Sequence, residues 1–172
     1  MDELLTYYVG VDPGLSGAVA IISSDDDYKV FDIPIMSKGS GTVKNEINSS
    51  GMKESLAVEL KFFSKAVAAV ERVNAMPGQG VSSVFSLGDS FGACRTVLAC
   101  LNIPTFYITP TEWKKFFGLS SDKEQARALA IRLFPKADLK LKKNIDRAEA
   151  LLIASYLKQK VEKAKNDKTI LT

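Results

Sequence analysis

The sequence contains no histidine. That absence excludes Ser-His-Asp and Cys-His nucleophilic catalysis, histidine zinc sites and a histidine general base. Cysteine is scarce too: Cys94 and Cys100 share one apolar stretch, without metal-ligand spacing. They read as reduced core cysteines of an intracellular protein. No segment approaches the ~20 consecutive apolar residues that span a bilayer, so no membrane is expected as a partner. The opening Met1-Asp2-Glu3 is acidic and unlike a signal peptide. Chemistry in this chain must run on carboxylates, lysines, hydroxyls or metal ions.

With 46% hydrophobic and 25% charged residues, residues 1–172 fit a single domain with a proper core. The net charge of +3 is unevenly placed. Residues 1–110 carry 8 Lys/Arg against 12 Asp/Glu, whereas residues 111–172 carry 15 against 8. A basic C-terminal part suits a polyanion such as nucleic acid; a solvated helical surface with a basic tail is the plain alternative.

The stretch from Tyr7 to Ala20 reads as a strand, a tight Pro13-Gly14 turn and a second strand that continues to Ile22. It leaves one acid, Asp12, at the end of an apolar strand. Burying an acid there is unfavourable unless something neutralises it, and a metal ion would do so. Asp-Pro-Gly is also ordinary turn chemistry. Gly14 and Gly17 strip side chains from the loop beside the acid, as close approach of a large ligand would require.

Tyr28–Ile33 is expected as a third strand after an Asp25-Asp26-Asp27 hairpin tip, and 36–51 as an exposed loop. Glu54–Lys65 has helical spacing at Leu56, Leu60 and Phe63. Ala66–Val70 looks like a fourth strand, ending in Glu71, so Glu71 repeats the situation of Asp12 at the same sheet edge. In open α/β sheets ligands bind at that edge. Asn74–Gly88 is expected as a loop rimming the site. Ser90–Leu101 reads as a helix whose small residues Gly92, Ala93 and Ala99 allow close packing, and Thr105–Ile108 as a fifth strand. Thr109 and Pro110 open a helix that Gly118 closes, with Trp113 and Phe116 in the core. Ser121 and Glu124 form a capping box for a helix reaching about Phe134, with Ala126, Leu129, Ala130 and Leu133 as its apolar face. Asn144 suits the N-cap of a last, apolar helix. Asp146 and Glu149, three apart, lie on one face of its first turn; acids also simply favour a helix N-terminus. Residues 158–172 look like a fraying helix end.

Together Asp12, Glu71, Asp146 and Glu149 form a carboxylate set without histidine or cysteine. Hard oxygen ligands select Mg²⁺, with Mn²⁺ as a substitute. Four carboxylates suit two ions about 4 Å apart, the arrangement of two-metal phosphodiester hydrolysis.

Asp12 within Gly-Val-Asp-Pro-Gly-Leu-Ser-Gly-Ala, Glu71 after the fourth strand, and Asp-Arg-Ala-Glu-Ala-Leu-Leu-Ile-Ala at 146–154 resemble the RuvC-type Holliday-junction resolvases. The stretches 75–88 and 109–115 look most like the phage and chloroplast branch. The resemblance covers residues 7–157. It implies an RNase H-like α/β fold, with a five-stranded mixed sheet of order 3-2-1-4-5 flanked by helices. It also implies a homodimer that nicks opposing strands of a four-way DNA junction with two Mg²⁺ ions per site. By position, Asp12, Glu71 and Glu149 match the family's metal-binding acids, and Asp146 matches the acid three residues before the glutamate in bacterial RuvC. In the chloroplast-like branch that acid sits five residues before the glutamate, which here is Asn144; either Asp146 fills the role or the acid has been replaced. Met76, Gln79 and Phe85 become candidates for contacting splayed bases. Lys114, Lys115, Lys123, Arg127, Lys140, Lys142 and Lys143 become candidates for phosphate contacts. Lys142 and Lys143 are nearest in sequence to the acidic helix for stabilising a pentacovalent phosphate. Two other readings stay open: a junction-binding protein without nuclease activity, and a fragment of an actin-like or sugar-kinase-type ATPase.

Overall fold

The computed structural model describes residues 5–39, 44–60 and 65–169. Three strands, β1 (Thr6–Asp12), β2 (Ala18–Ser23) and β3 (Tyr28–Asp32), make an antiparallel meander. A small ribbon, β4 (Ile35–Ser37) with β5 (Asn45–Ile47), precedes helix α1 (Ser49–Glu59). Then come β6 (Lys65–Glu71), α2 (Val81–Cys100), β7 (Thr105–Ile108), α3 (Pro110–Phe116), α4 (Lys123–Leu133), a 3₁₀ turn at Lys142–Asn144, and α5 (Ile145–Thr169). β6 pairs parallel with β1, and β7 with β6, which gives the main sheet the order β3-β2-β1-β6-β7. This is the expected mixed five-stranded sheet of order 3-2-1-4-5. No helix among the described residues is long and apolar enough to cross a membrane.

Strand alternation splits the core into two layers. From β1, Tyr7, Val9 and Val11 face α1 and α2, packing with Met52, Leu56, Cys94, Val97 and Leu98. Tyr8 faces the other way, into a layer with Trp113, Ala126, Ala130, Leu151, Leu152 and Ile153. Gly10 shares Tyr8's side, and a Cβ there would lie 2.3 Å from the Ala150 carbonyl oxygen. The missing side chain lets α5 lie directly on β1. Leu151, Leu152 and Ile153 are fully buried, each contributing about 1.5–3 kcal/mol.

Several expectations need correction. The stretch 36–51 holds the β4–β5 ribbon and the start of α1, which Asn48 caps by accepting the Gly51 N–H at 2.9 Å. That helix ends at Glu59, and Lys65 belongs to β6; Phe63 lies outside the described residues. Val81–Gly88 is not loop but the first two turns of α2. Serines and Gly88 have weak helix propensity there, and the packed half of the helix carries them. Gly92 makes no close approach, since a Cβ would meet nothing within 4 Å. Asp122, not Ser121, caps α4, accepting the Glu124 N–H at 2.9 Å. Leu133 and Phe116 are exposed, and so is Cys100; both cysteines are free. The Asp25–Asp27 turn is a hairpin tip, with Asp26 at φ 67° and its carboxylate 2.6 Å from the Lys158 ammonium. Lys158 is itself buried, within an α5 that continues through residue 169.

Candidate active site

The strand parity that sorts the core also builds the site. Asp12 follows Tyr8 and Gly10 at two-residue steps, so it faces α5. Glu71 follows Val67 and Ala69 in the same way on β6. The β1–β6 register runs to Val11↔Val70, which sets the two acids side by side one step further on. The first turn of α5 supplies Asp146 and Glu149. Carboxylate oxygens of Asp12, Asp146 and Glu149 all lie within 4.8 Å of one another. Glu71 is held at the edge of this trio: its Oε2 accepts the indole N–H of buried Trp113 at 2.6 Å.

The loop after β1 is closed on itself. A Cβ on Gly17 would sit 2.2 Å from the Asp12 carbonyl oxygen and 2.7 Å from the Gly14 nitrogen. Gly17 is therefore required by the turn itself, whereas Gly14 meets only one atom, at 3.8 Å.

Arg147 fixes the first turn of α5. Its guanidinium holds both carboxylate oxygens of Asp32 at the end of β3, at 2.5 and 2.7 Å, and reaches Asp138 at 3.3 Å. Asp146, one residue before Arg147, and Glu149, two after it, reach the cluster from that anchored turn.

Two lysines face the acids. Lys114 Nζ lies 3.0 Å from Glu149 Oε1 and 5.0 Å from the Trp113 ring centroid. Lys123 Nζ lies 3.2 Å from Glu149 Oε2 and 3.6 Å from Asp146 Oδ1. The charges shape the titration. Burial, then Glu71, Glu149 and Asp146, push the Asp12 carboxyl well above its ordinary range, against the pull of Lys123. Burial also raises Glu71, while the Trp113 hydrogen bond pulls it back. Burial opposes the Lys123 ammonium, but Glu149 and Asp146 outweigh it and its pKa is raised. An all-carboxylate, all-oxygen donor set of this spacing fits a hard divalent cation.

A cleft of about 830 Å³ opens over the acids, lined by Asp12, Glu71, Asp146, Lys123, Met76 and the serine side of α2. Met76 and Phe85 are 62% and 71% exposed, which leaves both free to meet a partner. Phe85 stands on α2, and Gln79 Oε1 accepts the Met76 N–H at 2.8 Å. Lys115, Lys140, Lys142 and Lys143 are exposed. Arg127 is engaged within the fold: its guanidinium binds Glu124 and donates to the carbonyls of Leu139 and Lys140. Asn144 is buried, and its amide donates to the Asp138 carbonyl at 3.0 Å.

Sequence reasoning brings the four acids together but misses their supports. Trp113 appears there only as a core residue, and Arg147 carries no role. Lys114 and Lys123 appear as phosphate contacts, without their ion pairs to the acids. No local pattern announces any of these contacts.

No protein-family model matches the chain, and no curated protein matches its sequence. Solved structures do. A structure of T. thermophilus RuvC in complex with a Holliday junction substrate has a TM-score of 0.54 at 14% identity, over 88% of this chain and 90% of that one. A second Thermus thermophilus RuvC structure has a TM-score of 0.47 at 15% identity, over 89% and 94%. The first of these likenesses, with the sheet order above, gives this chain an RNase H-like α/β fold.

Proposed function

We propose that this protein is a metal-dependent endonuclease that resolves four-way DNA junctions, of the phage and chloroplast-like kind. One observation carries the reading: Asp12, Asp146 and Glu149 converge within 4.8 Å at the carboxyl edge of the sheet, with Glu71 beside them and a cleft above. The structural neighbour's junction complex supports the choice of substrate.

Asp12, Asp146 and Glu149 would hold Mg²⁺ or Mn²⁺, with Glu71 completing room for a pair of ions. Bound there, the metal would supply an activated water and charge neutralisation at the departing 3′ oxygen. The chain's own residues do the rest. Trp113 and Arg147 fix the acids before substrate arrives, which lowers the reorganisation needed at reaction. Lys115, Lys140, Lys142 and Lys143 present charge to the phosphate backbone. Met76 lines the cleft, and with Gln79 beside it and the exposed Phe85 on α2 it would offer unpaired bases at a crossover surfaces for stacking and hydrogen bonding. Paired cuts need two sites, so the proposal includes a homodimer.

Asn144 bears on whether the chain is active. Its buried amide donates to the Asp138 carbonyl. An ionised aspartate there would set a carboxylate against a carbonyl and leave both without a proton to share. The fold uses an amide at 144, and we assign the metal-binding role to Asp146. The test is cleavage of a labelled four-way junction and a linear duplex with Mg²⁺ or Mn²⁺, by this chain and by Asn144→Asp. Paired nicks in the junction alone, by the chain as it stands, are expected. Cleavage only after Asn144→Asp would make it a silenced resolvase, and tight junction binding without cleavage by either would leave a junction-binding protein. ATP hydrolysis by the chain would instead point to the actin-like reading.

A further inference from the structure

The two lysines at the acid cluster are not equivalent, and the difference points to an exchange. Four carboxylates meet here, and Lys114 and Lys123 offset two of their charges. Two divalent ions would balance all four carboxylates by themselves and leave both ammoniums without a counter-charge. Lys114 has a second anchorage, because its ammonium stands over the Trp113 ring and its side chain is 17% exposed. Lys123 has none. It is the first residue of α4, its side chain is 56% exposed, and its ammonium lies between Asp146 and Glu149 with access to the cleft.

We propose that Lys123 is a tethered counter-ion that neutralises Asp146 and Glu149 until metal binds, and that metal binding displaces its ammonium into the cleft. This rests on the metal-binding reading of the site. The consequence is a competition: Lys123 and the metal use the same carboxylates, Asp146 and Glu149, so the lysine lowers metal affinity in the absence of DNA. A lysine with a purely scaffolding role would do the opposite, since its loss would let the acids spread apart.

The experiment is Mn²⁺ binding to the DNA-free protein, followed by the electron paramagnetic resonance of free Mn²⁺, for the full chain and for Lys123→Met and Lys123→Gln. Both variants should bind Mn²⁺ about tenfold more tightly, the scale of two partly exposed ion pairs and one removed positive charge. Lys163→Met serves as the control for net charge. It lies on α5, about 21 Å of helix beyond Glu149 and outside the screening length, so it should leave Mn²⁺ affinity unchanged. Weaker or unchanged Mn²⁺ binding by both Lys123 variants, with normal binding by the parent, would overturn the exchange and leave the nuclease reading intact. No Mn²⁺ binding by any of the proteins would overturn both.

Discussion

Replacing Asp12 by asparagine removes one charge from the cluster and leaves the shape of the β1 turn. In the metal-free protein the charge is a liability. Each pair of like charges within 4.8 Å repels by roughly 3 kcal/mol or more at an effective dielectric near 20. Asp12 faces Asp146 and Glu149 at that range, while Lys123 returns part of the energy. Asp12→Asn should therefore stabilise the metal-free chain by about 1–3 kcal/mol, or roughly 3–10 °C in Tm for a chain of this length. The sign follows from the titration. The folded pKa of Asp12 is raised, so the folded protein holds its proton to higher pH than the unfolded chain does. Stability is then lost as pH rises from the ordinary carboxylate range through the raised value, and the loss is complete above it. The advantage of the variant should grow across that same window. Thermal melts in chelator at several pH values measure this directly. With Mg²⁺ the order should narrow or reverse, because the parent gains more from the ion. Junction cleavage should be abolished while junction binding is retained or strengthened, since a negative charge beside the phosphate is gone. A variant less stable than the parent in chelator, or losing binding and cleavage equally, would mean that Asp12 is a turn residue and would refute the reasoning.

Gly10→Ala should destabilise the chain by about 3 kcal/mol, because its methyl group meets the α5 backbone at Ala150 and Ala154; urea unfolding reads the loss, and a neutral result would mean that α5 does not rest on β1 there. Trp113→Phe removes the hydrogen bond that holds the Glu71 pKa down, so the rising limb of the pH–cleavage profile should move to higher pH, with about 1.5–3 kcal/mol of stability lost; an unmoved profile would detach Glu71 from the chemistry. Junction affinity should fall steeply with salt, since several phosphates shed counterions on binding, and a flat salt response would count against the exposed lysines as the docking surface.

The outline of the sheet is legible in local sequence. Alternating apolar strands, the Pro13-Gly14 turn and the acidic hairpin tip each carry a short-range signature, and three consecutive β-rich stretches before the first long helix lead to a meander. The acids at strand ends are legible for the same reason, since an acid after an apolar run stands out wherever the strand lies. The first half of α2 is not, because its serines and Gly88 have no helical preference of their own and are helical through the packed turns from Ser90 onward. Gly92 shows the converse: a small residue invites close packing in sequence, yet nothing approaches it.

The sequence by itself determined which residues could carry the chemistry, namely carboxylates and lysines in a chain without histidine, and how strands and helices alternate. Tertiary structure decided what those residues touch. Trp113 reaches Glu71 across 42 positions, and Arg147 clamps Asp32 across 115. Lys123 became a partner of the acids because α4 packs beside α5 with its first residue over Glu149. Contacts of this kind arise when two elements pack, and a preference for one neighbour over another is an energy of that packing. It leaves no periodicity, cap or turn in the chain from which it could be read.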